Sequence, residues 1–286
     1  MTDKKQFGFS NEELLNVPTV YSADLFKNKT VLITGAGSGL GKANAVLFAR
    51  LGANIVLCGR KIDKLVATQA IIDHLPGDHM SIAMTIRDPE IVADTMDKVW
   101  QKYGQLDVLL NNGGGQFPQQ AIDFSIKGWN AVIDTNLNGT WYMMQAAAKK
   151  WIEHKQEGSI INIVANFMRA MPGIAHTCAA RAAVTYLSKT LAVEWAEHKI
   201  RINCVSPGCV ETEGFGVYPE EGLKSFKTSN PMLRVGDAHD VAEACVYMSA
   251  SSGKFITGEM LSIDGGNQVW GDFWPAGKPE YYNLKD

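Results

Sequence analysis

The chain has 286 residues, of which 46% are hydrophobic and 20% are charged, and its formal net charge is −3. This composition is typical of a globular protein with a large core, and the acidic balance gives no basic face for nucleic acid. No apolar run reaches the roughly 18 residues that a membrane-spanning helix needs. The five cysteines are odd in number and include no C-x-x-C pair, which favours a reducing compartment. The six histidines are scattered along the chain, so we predict no metal site.

Taken in chain order, short apolar runs alternate with segments of helical periodicity. The predicted strands cover 30–33, 54–58, 81–86, 106–110, 159–164, 200–205 and 260–263. The predicted helices begin after the first strand at about 42 and then cover 61–74, 89–103, 135–154, 174–198 and 238–249. β-branched runs separated by helices predict an α/β fold with a single doubly wound parallel sheet flanked by helices.

We expect one domain with short tails. Residues 1–28 are an N-terminal extension, 29–267 form the main domain, and 209–236 form a loop or short helical lid within it. Residues 268–286 are an aromatic tail that packs on its own subunit or on the rim of a partner's site. Its aromatic residues are Trp270, Phe273, Trp274, Tyr281 and Tyr282. Neither end carries a signal peptide, transit sequence or peroxisomal tripeptide, so we expect a cytoplasmic protein.

A glycine-rich stretch joins the first predicted strand to the first helix. It reads T-G-A-G-S-G-L-G over Thr34–Gly41. Such a turn brings backbone N–H groups and the positive end of a helix dipole to a phosphate. A tight strand-to-helix turn with no ligand is the alternative. We interpret the stretch as a pyrophosphate cradle made by Gly35, Gly37, Ser38, Gly39, Leu40 and Gly41.

Two cations follow the second predicted strand, where an NAD site places an acid for the ribose 2′-hydroxyl. These residues are Arg60 and Lys61. Cations at a helix start are unfavourable unless an anion joins them, although solvent exposure alone also accommodates them. We therefore predict NADP, with its 2′-phosphate on Arg60 and Lys61.

Polar and glycine motifs follow the later strands and complete a set that resembles the short-chain dehydrogenase/reductase family over 28–267. Besides the Thr34–Gly41 loop, the set comprises Asn111-Asn112-Gly113-Gly114, Asn136, Pro207-Gly208-x-x-x-Thr212 and Asp264-Gly265-Gly266. The resemblance implies a Rossmann-type domain, a nicotinamide cofactor, and a dimer or tetramer built on the two long helices. It also implies that Asn112, Gly113, Gly114, Pro207, Gly208, Val210 and Thr212 contact the cofactor.

The chain departs from this family where the family carries its Tyr-x-x-x-Lys dyad. Thr177 stands at the tyrosine position and Arg181 at the lysine position, while the upstream serine region reads Ile163-Val164-Ala165-Asn166. A threonine hydroxyl is a weak acid and an arginine keeps its proton. The usual proton donor for carbonyl reduction, worth about 10²–10⁴ in rate, is therefore absent from its expected position.

A conjugated C=C bond is the substrate that suits this departure, because its reduction develops charge on a thioester oxygen that needs donors. Thr177 and Asn136 are the candidate donors, with Asn166 as a further one, and Arg181 is the candidate holder of the cofactor ribose. Segments such as Asn111–Phe117 and Glu194-Trp195 resemble the peroxisomal trans-2-enoyl-CoA reductases, and the 2,4-dienoyl-CoA reductases come next. These resemblances place Arg87, Phe117 and Ser125 in the substrate wall.

The sequence thus predicts an NADPH-dependent reductase of enoyl-CoA or dienoyl-CoA thioesters that acts as a homo-oligomer on a small molecule. A ketone or alcohol oxidoreductase with an atypical acid, and a non-catalytic NADP-binding protein, remain alternatives. His176, beside Thr177, either lines the pocket or fills space at the helix start.

Overall fold

A seven-stranded parallel sheet forms the centre of the molecule. The structure, a computed structural model, describes residues 7–217 and 220–270. The strands of these residues are β1 (Thr30–Thr34), β2 (Asn54–Gly59), β3 (His79–Ala83), β4 (Val108–Asn111), β5 (Gly158–Ile163), β6 (Ile200–Pro207), β7 (Val210–Glu211), β8 (Gly236–Asp237) and β9 (Met260–Ile263). The sheet order is β3-β2-β1-β4-β5-β6-β9 and every pairing is parallel. The predicted doubly wound fold is therefore confirmed, with its switch point between β1 and β4.

Helices cover both faces of this sheet. They are α1 (Asn11–Asn16), α2 (Gly39–Arg50), α3 (Ile62–Ile72), α4 (Pro89–Tyr103), α5 (Ile126–Ile133), α6 (Gly139–Glu153), α7 (Ala175–Glu194), α8 (Glu220–Phe226) and α9 (Ala238–Ser249). Side chains alternate along β1, so Val31 and Ile33 pack with α2, α3 and α9, whereas Leu32 packs with α4, α6 and α7. A large core therefore lies on each face of the sheet.

Most predicted elements differ from the structure by a few residues at their ends, and two differ in a way that has a physical cause. The third strand was predicted over 81–86, but β3 starts at His79, which pairs with Ile55, and ends at Ala83, which pairs with Gly59. Met84 and Ile86 are buried beyond the end of this ladder. Their apolar character comes from packing next to the sheet and not from strand pairing.

The helix predicted over 135–154 is longer and is interrupted. Its first part is α5, which is capped by Ser125: the Ser125 hydroxyl accepts the main-chain N–H of Gly128. A π-helical turn at Asp134–Asn138 then connects α5 to α6. Gly128 lowers helix propensity within α5, which conceals this segment in the sequence. The π-helical turn carries Asn136, a residue of the predicted site.

The segment 209–236 returns to its own starting point. Val210 pairs with Gly236 and Glu211 with Asp237, so β7 and β8 join its two ends, and α8 lies between them. The boundaries proposed for the extension, the lid and the tail stay predictions. Beyond Trp270, the aromatic tail lies outside the described residues.

The chain before β1 docks on the helices of one face. The guanidinium of Arg50 in α2 donates to the carbonyl oxygens of Leu14 and Val17 at 3.0 and 2.8 Å. The Tyr21 hydroxyl donates to the carbonyl of Glu243 in α9. Across residues 7–217 and 220–270, no helix has the length and apolar character to cross a membrane.

Candidate active site

The candidate site begins where the ends of β1 and β4 are tied together. The Thr34 hydroxyl accepts the main-chain N–H groups of Asn112 and Gly113 at 3.0 and 2.8 Å. The Asn112 amide donates back to the carbonyls of Thr34 and Gly35 at 3.0 and 3.2 Å. These bonds fix two of the predicted cofactor loops against each other at the switch point.

The glycine-rich loop has the backbone geometry of a ligand cradle. Gly35 and Gly39 have φ of +68° and +53°, which favours glycine. A Cβ on Gly41 would lie 2.2 Å from the carbonyl oxygen of Gly35, and one on Gly37 would lie 2.8 Å from Cβ of Lys64. Ser38 is the N-cap residue of α2, yet its side chain makes no capping hydrogen bond. The Ser38 side chain thus does not satisfy the main-chain donors at the helix start, which suit an anion.

Arg87 and three cations around the start of α3 line the cleft beside this loop, and the cleft has a volume of about 390 Å³. Arg60 and Lys61 were predicted there, and Lys64 was missed although it lies one turn along the start of α3. Among the residues that the structure describes, none of the three makes an ion pair and no acid lines the cleft. The cleft is therefore suited to an anionic ligand.

Arg181 reaches the loop after β4 from the buried face of α7. A Cβ on Gly114 would lie 2.1 Å from Nη2 of Arg181 and 3.1 Å from Oδ1 of Asn136. The Asn136 amide pairs with Gly115 in both directions, accepting its N–H and donating to its carbonyl at 3.0 Å each. Gly114, Arg181 and Asn136 thus meet at one point, and their roles toward a cofactor stay predictions.

The Arg181 guanidinium is buried without compensation. Among the residues that the structure describes, its Nη1 has no hydrogen-bond partner and no carboxylate lies within ion-pair distance of it. Desolvation by burial lowers the pKa of Arg181 to about 10. Because an unpaired buried charge is costly, this group marks a place for a ligand.

Thr177 is buried one helical turn before Arg181, on the same face of α7. Its main-chain N–H donates to Nδ1 of His176 at 2.8 Å, and its hydroxyl oxygen lies 3.4 Å from that nitrogen. The His176 ring stacks on Phe124 with centroids 4.4 Å apart and meets Phe117 edge-on at 4.7 Å. These three rings form a surface beside Thr177, which we call the aromatic wall.

The other predicted substrate residues make structural contacts. Ser125 caps α5 as described, and Arg87 donates to the Thr135 hydroxyl and the Ala131 carbonyl while lining the cationic cleft. Asn166 donates to Asp264 at 2.9 Å and to Asn267 at 2.6 Å, which uses both of its N–H groups. Their roles toward a substrate stay predictions.

The segment after β6 lies beside the glycine-rich loop. Pro207 ends β6, and a Cβ on Gly208 would lie 2.7 Å from Cα of Asp264. Val210 is buried in β7, and the Thr212 side chain lies 3.6 Å from the Cβ position of Gly39. All these motifs therefore gather at the carboxyl ends of the strands.

The sequence of this chain is similar to those of known reductases. A family model described as "Enoyl-(Acyl carrier protein) reductase" matches residues 35–268. A probable 2,4-dienoyl-CoA reductase of Bacillus subtilis is 35% identical over 84% of this chain and 96% of its own. The 3-oxoacyl-[acyl-carrier-protein] reductase FabG of Thermotoga maritima is 32% identical over 84% of this chain and 98% of its own.

Solved structures agree as well. A short chain dehydrogenase from Bacillus anthracis has a TM-score of 0.79 at 36% identity and covers 87% of this chain and 99% of its own. A structure described as "ElxO with NADP Bound" has a TM-score of 0.79 at 30% identity, covering 85% and 99%. These matches confirm the resemblance found in the motifs. The chain is a member of the short-chain dehydrogenase/reductase family, an oxidoreductase whose fold binds a nicotinamide cofactor.

Proposed function

We propose that this protein is an NADPH-dependent reductase of the C=C bond in an enoyl-CoA or dienoyl-CoA thioester. The observation that carries the proposal is the pair on α7: a buried hydroxyl at Thr177 and an unpaired, buried guanidinium at Arg181. Neither group suits protonation of an alkoxide, because the hydroxyl is a weak acid and the guanidinium holds its proton. Both suit hydrogen bonding to an oxygen.

The choice of NADP rests on the cationic cleft. Arg60, Lys61 and Lys64 supply three positive charges, and no acid among the described lining residues could accept from a ribose 2′-hydroxyl. One similar structure is described with NADP. The pyrophosphate would lie at the start of α2, and Arg181 would hold the nicotinamide ribose beside Gly114.

When bound, NADPH would supply a hydride to the end of the conjugated C=C system that is remote from the thioester carbonyl. Thr177 would donate a hydrogen bond to the thioester oxygen as negative charge develops on it, and the proton that completes the reaction would come from solvent and go to carbon. Asn136 holds Gly115 and keeps a second N–H for the same oxygen. The aromatic wall excludes water from the acyl chain beside Thr177.

The acyl-CoA substrate class draws on a relative described as a probable 2,4-dienoyl-CoA reductase. NADPH consumption with crotonyl-, decenoyl- and decadienoyl-CoA, beside a panel of ketones, tests the proposal. We expect turnover with the unsaturated thioesters. Turnover with ketones only would establish a carbonyl reductase, which the resemblance to a 3-oxoacyl reductase keeps as the second candidate. Binding without turnover on any substrate would indicate a non-catalytic NADP-binding protein.

We also propose a homo-oligomer, dimer or tetramer, built on α6 and α7. The outward faces of these helices expose Ile152, Tyr186 and Val193, the last two at 74% and 80%. Apolar groups at these positions suit an interface better than water. Light scattering of the wild type and of Tyr186→Lys/Val193→Lys measures this, with the variant expected to have a smaller mass. A cytoplasmic location stays a prediction from the sequence.

A further inference from the structure

A carboxylate of the chain itself lies on the glycine-rich loop. Oε2 of Glu213 accepts the main-chain N–H of Gly39, the first residue of α2, at 2.8 Å. Oε1 of the same side chain pairs with the Lys42 ammonium at 2.5 Å. Both donors belong to the first turn of α2, at the point where the helix dipole is positive.

Glu213 is an anion in this position. Burial opposes ionisation, but hydrogen bonds from Lys42 and from the Gly39 main chain outweigh it and lower the pKa of Glu213. The carboxylate therefore satisfies the start of α2 in the way that a phosphate does in a nucleotide-binding loop. A carboxylate and a pyrophosphate do not share the same N–H donor, since both carry negative charge.

The segment that carries Glu213 is held from its outer side. The Gly8 main-chain N–H donates to Oε1 of Glu211 at 3.0 Å, and the Cβ position of Gly8 is 3.1 Å from Cα of Thr212. The rings of Phe7 and Phe215 lie 6.2 Å apart. The chain before α1 thus packs on the residues on either side of Glu213 and keeps the carboxylate over the loop.

We propose that Glu213 is an internal anion at the pyrophosphate position of the glycine-rich loop, and that the dinucleotide must displace it. The inference rests on the proposed binding of NADP. Displacement releases Lys42 to the phosphates and moves the residues that follow Thr212, which is itself a predicted cofactor contact. Glu213 therefore lowers cofactor affinity and couples cofactor binding to the position of this segment.

Binding of NADPH to Glu213→Gln and Glu213→Ala, followed by fluorescence titration, tests the inference. We expect both variants to bind about tenfold tighter than the wild type, because one charge-assisted contact no longer has to be broken. Glu220→Gln is the matched control, since Glu220 belongs to α8 of the same segment and pairs with the Lys224 ammonium there; its Kd should equal that of the wild type.

Thermal unfolding gives a second readout that does not depend on turnover. Without ligand, Glu213→Ala should melt below the wild type, because the start of α2 loses its anion. With saturating NADPH the difference should vanish, since the phosphates replace the carboxylate. Equal or weaker NADPH binding by Glu213→Gln would overturn the inference and make Glu213 a residue that supports the cofactor.

Failure of the proposed function is distinguishable from failure of this inference. If the wild type binds no NADPH, the proposed function fails, and inorganic pyrophosphate then becomes the probe of the same donors. Tighter pyrophosphate binding by Glu213→Gln than by wild type would still support the displaced-anion role. Equal binding of pyrophosphate by the two proteins would contradict it.

Discussion

At the scale of single residues, we expect Arg181 to favour ligand binding while it lowers the stability of the ligand-free protein. A buried guanidinium with no counter-ion destabilises the ligand-free protein, and an apolar side chain of similar length removes that cost. We expect Arg181→Met to raise the melting temperature of the ligand-free protein and to raise KM for NADPH, with a smaller effect on kcat. Calorimetry and steady-state kinetics measure the two effects. A variant that melts lower and binds NADPH normally would mean that Arg181 serves packing alone.

Thr177 is the residue on which the proposed oxyanion contact depends. Thr177→Val deletes one donor of several, so we expect kcat for an enoyl-CoA to fall by roughly 10- to 100-fold, somewhat below the worth of a lone oxyanion donor. Thr185→Val is the matched control, because Thr185 is also buried on α7 but donates to the main-chain carbonyl of Arg181. Unchanged kcat in Thr177→Val would reduce Thr177 to a residue of the helix start.

Restoring the family's dyad tests the same chemistry in reverse. Thr177→Tyr combined with Arg181→Lys returns an acid for carbonyl reduction, but the phenol enters the space beside the aromatic wall. We expect the double variant to lose enoyl-CoA reduction. Rates on the enoyl-CoA and ketone panels measure the change. Full enoyl-CoA reduction by the double variant would show that the pocket does not depend on the departure from the family.

Arg60 is the residue on which the proposed preference for NADPH over NADH depends. Loss of one charge-assisted contact to a 2′-phosphate weakens binding by about 1.5–3 kcal/mol, which is at least tenfold. Arg60→Ala should therefore erase most of the preference for NADPH, Lys64→Ala should reduce it, and NADH binding should stay nearly constant. Lys98→Ala serves as the control on α4, where Lys98 pairs with Asp94. Equal losses for NADPH and NADH would assign Arg60 to structure or to the shared pyrophosphate.

At the scale of elements, the sequence predicts what periodicity and punctuation encode. The helix over 89–103, the helix over 238–249 and the strand over 260–263 have the same bounds in the structure. The boundaries of the helix over 89–103, for example, have clear signals: Asp88 caps it before Pro89, and Gly104 ends it in a left-handed conformation. The third strand was misplaced because Met84 and Ile86 are buried without pairing, and a composition window does not separate burial from strand pairing.

The aromatic wall contains His176, and burial of this side chain disfavours its protonated form. Burial lowers the pKa of His176 from 6.5, so the unfolded chain binds its proton more readily than the folded chain does. Stability from this group is complete above the unfolded pKa and falls as the pH drops below 6.5. Burial lowers the pKa of His79 as well, and it acts in the same direction.

We therefore expect the melting temperature of the wild type to fall between pH 7.5 and pH 5.5, and His176→Gln to show a shallower fall. The slope against pH is the measured quantity, because the variant also changes packing at every pH. His74→Gln, at an exposed position on the same molecule, is the control and should keep the wild-type slope. An identical slope in His176→Gln would contradict the role assigned to His176.

At the scale of the whole molecule, strand order explains why the site was visible in the sequence. Residues that follow parallel strands meet at one edge of the sheet, which brings Gly35, Arg60, Asn112 and Thr212 together without knowledge of any contact. The partners of each side chain were not predictable. Asn136 pairs with Gly115, and Glu213 lies on Gly39 across 174 residues of chain, because loop conformation and not local pattern decides such contacts.

The N-terminal segment extends this argument to the stability of the whole fold. Arg50 of α2 donates to the carbonyls of Leu14 and Val17, and Leu14 is buried in the same core as α2 and α9. Arg50→Met leaves these carbonyls without their donors, so we expect the free energy of unfolding to fall by about 1–3 kcal/mol. Urea unfolding measures this loss, with an unchanged slope against denaturant if the segment stays docked. Lys98→Met, an exposed cation on α4, should change stability by less than about 0.5 kcal/mol. A loss in Arg50→Met no larger than that of Lys98→Met would mean that apolar packing alone holds the segment against α2.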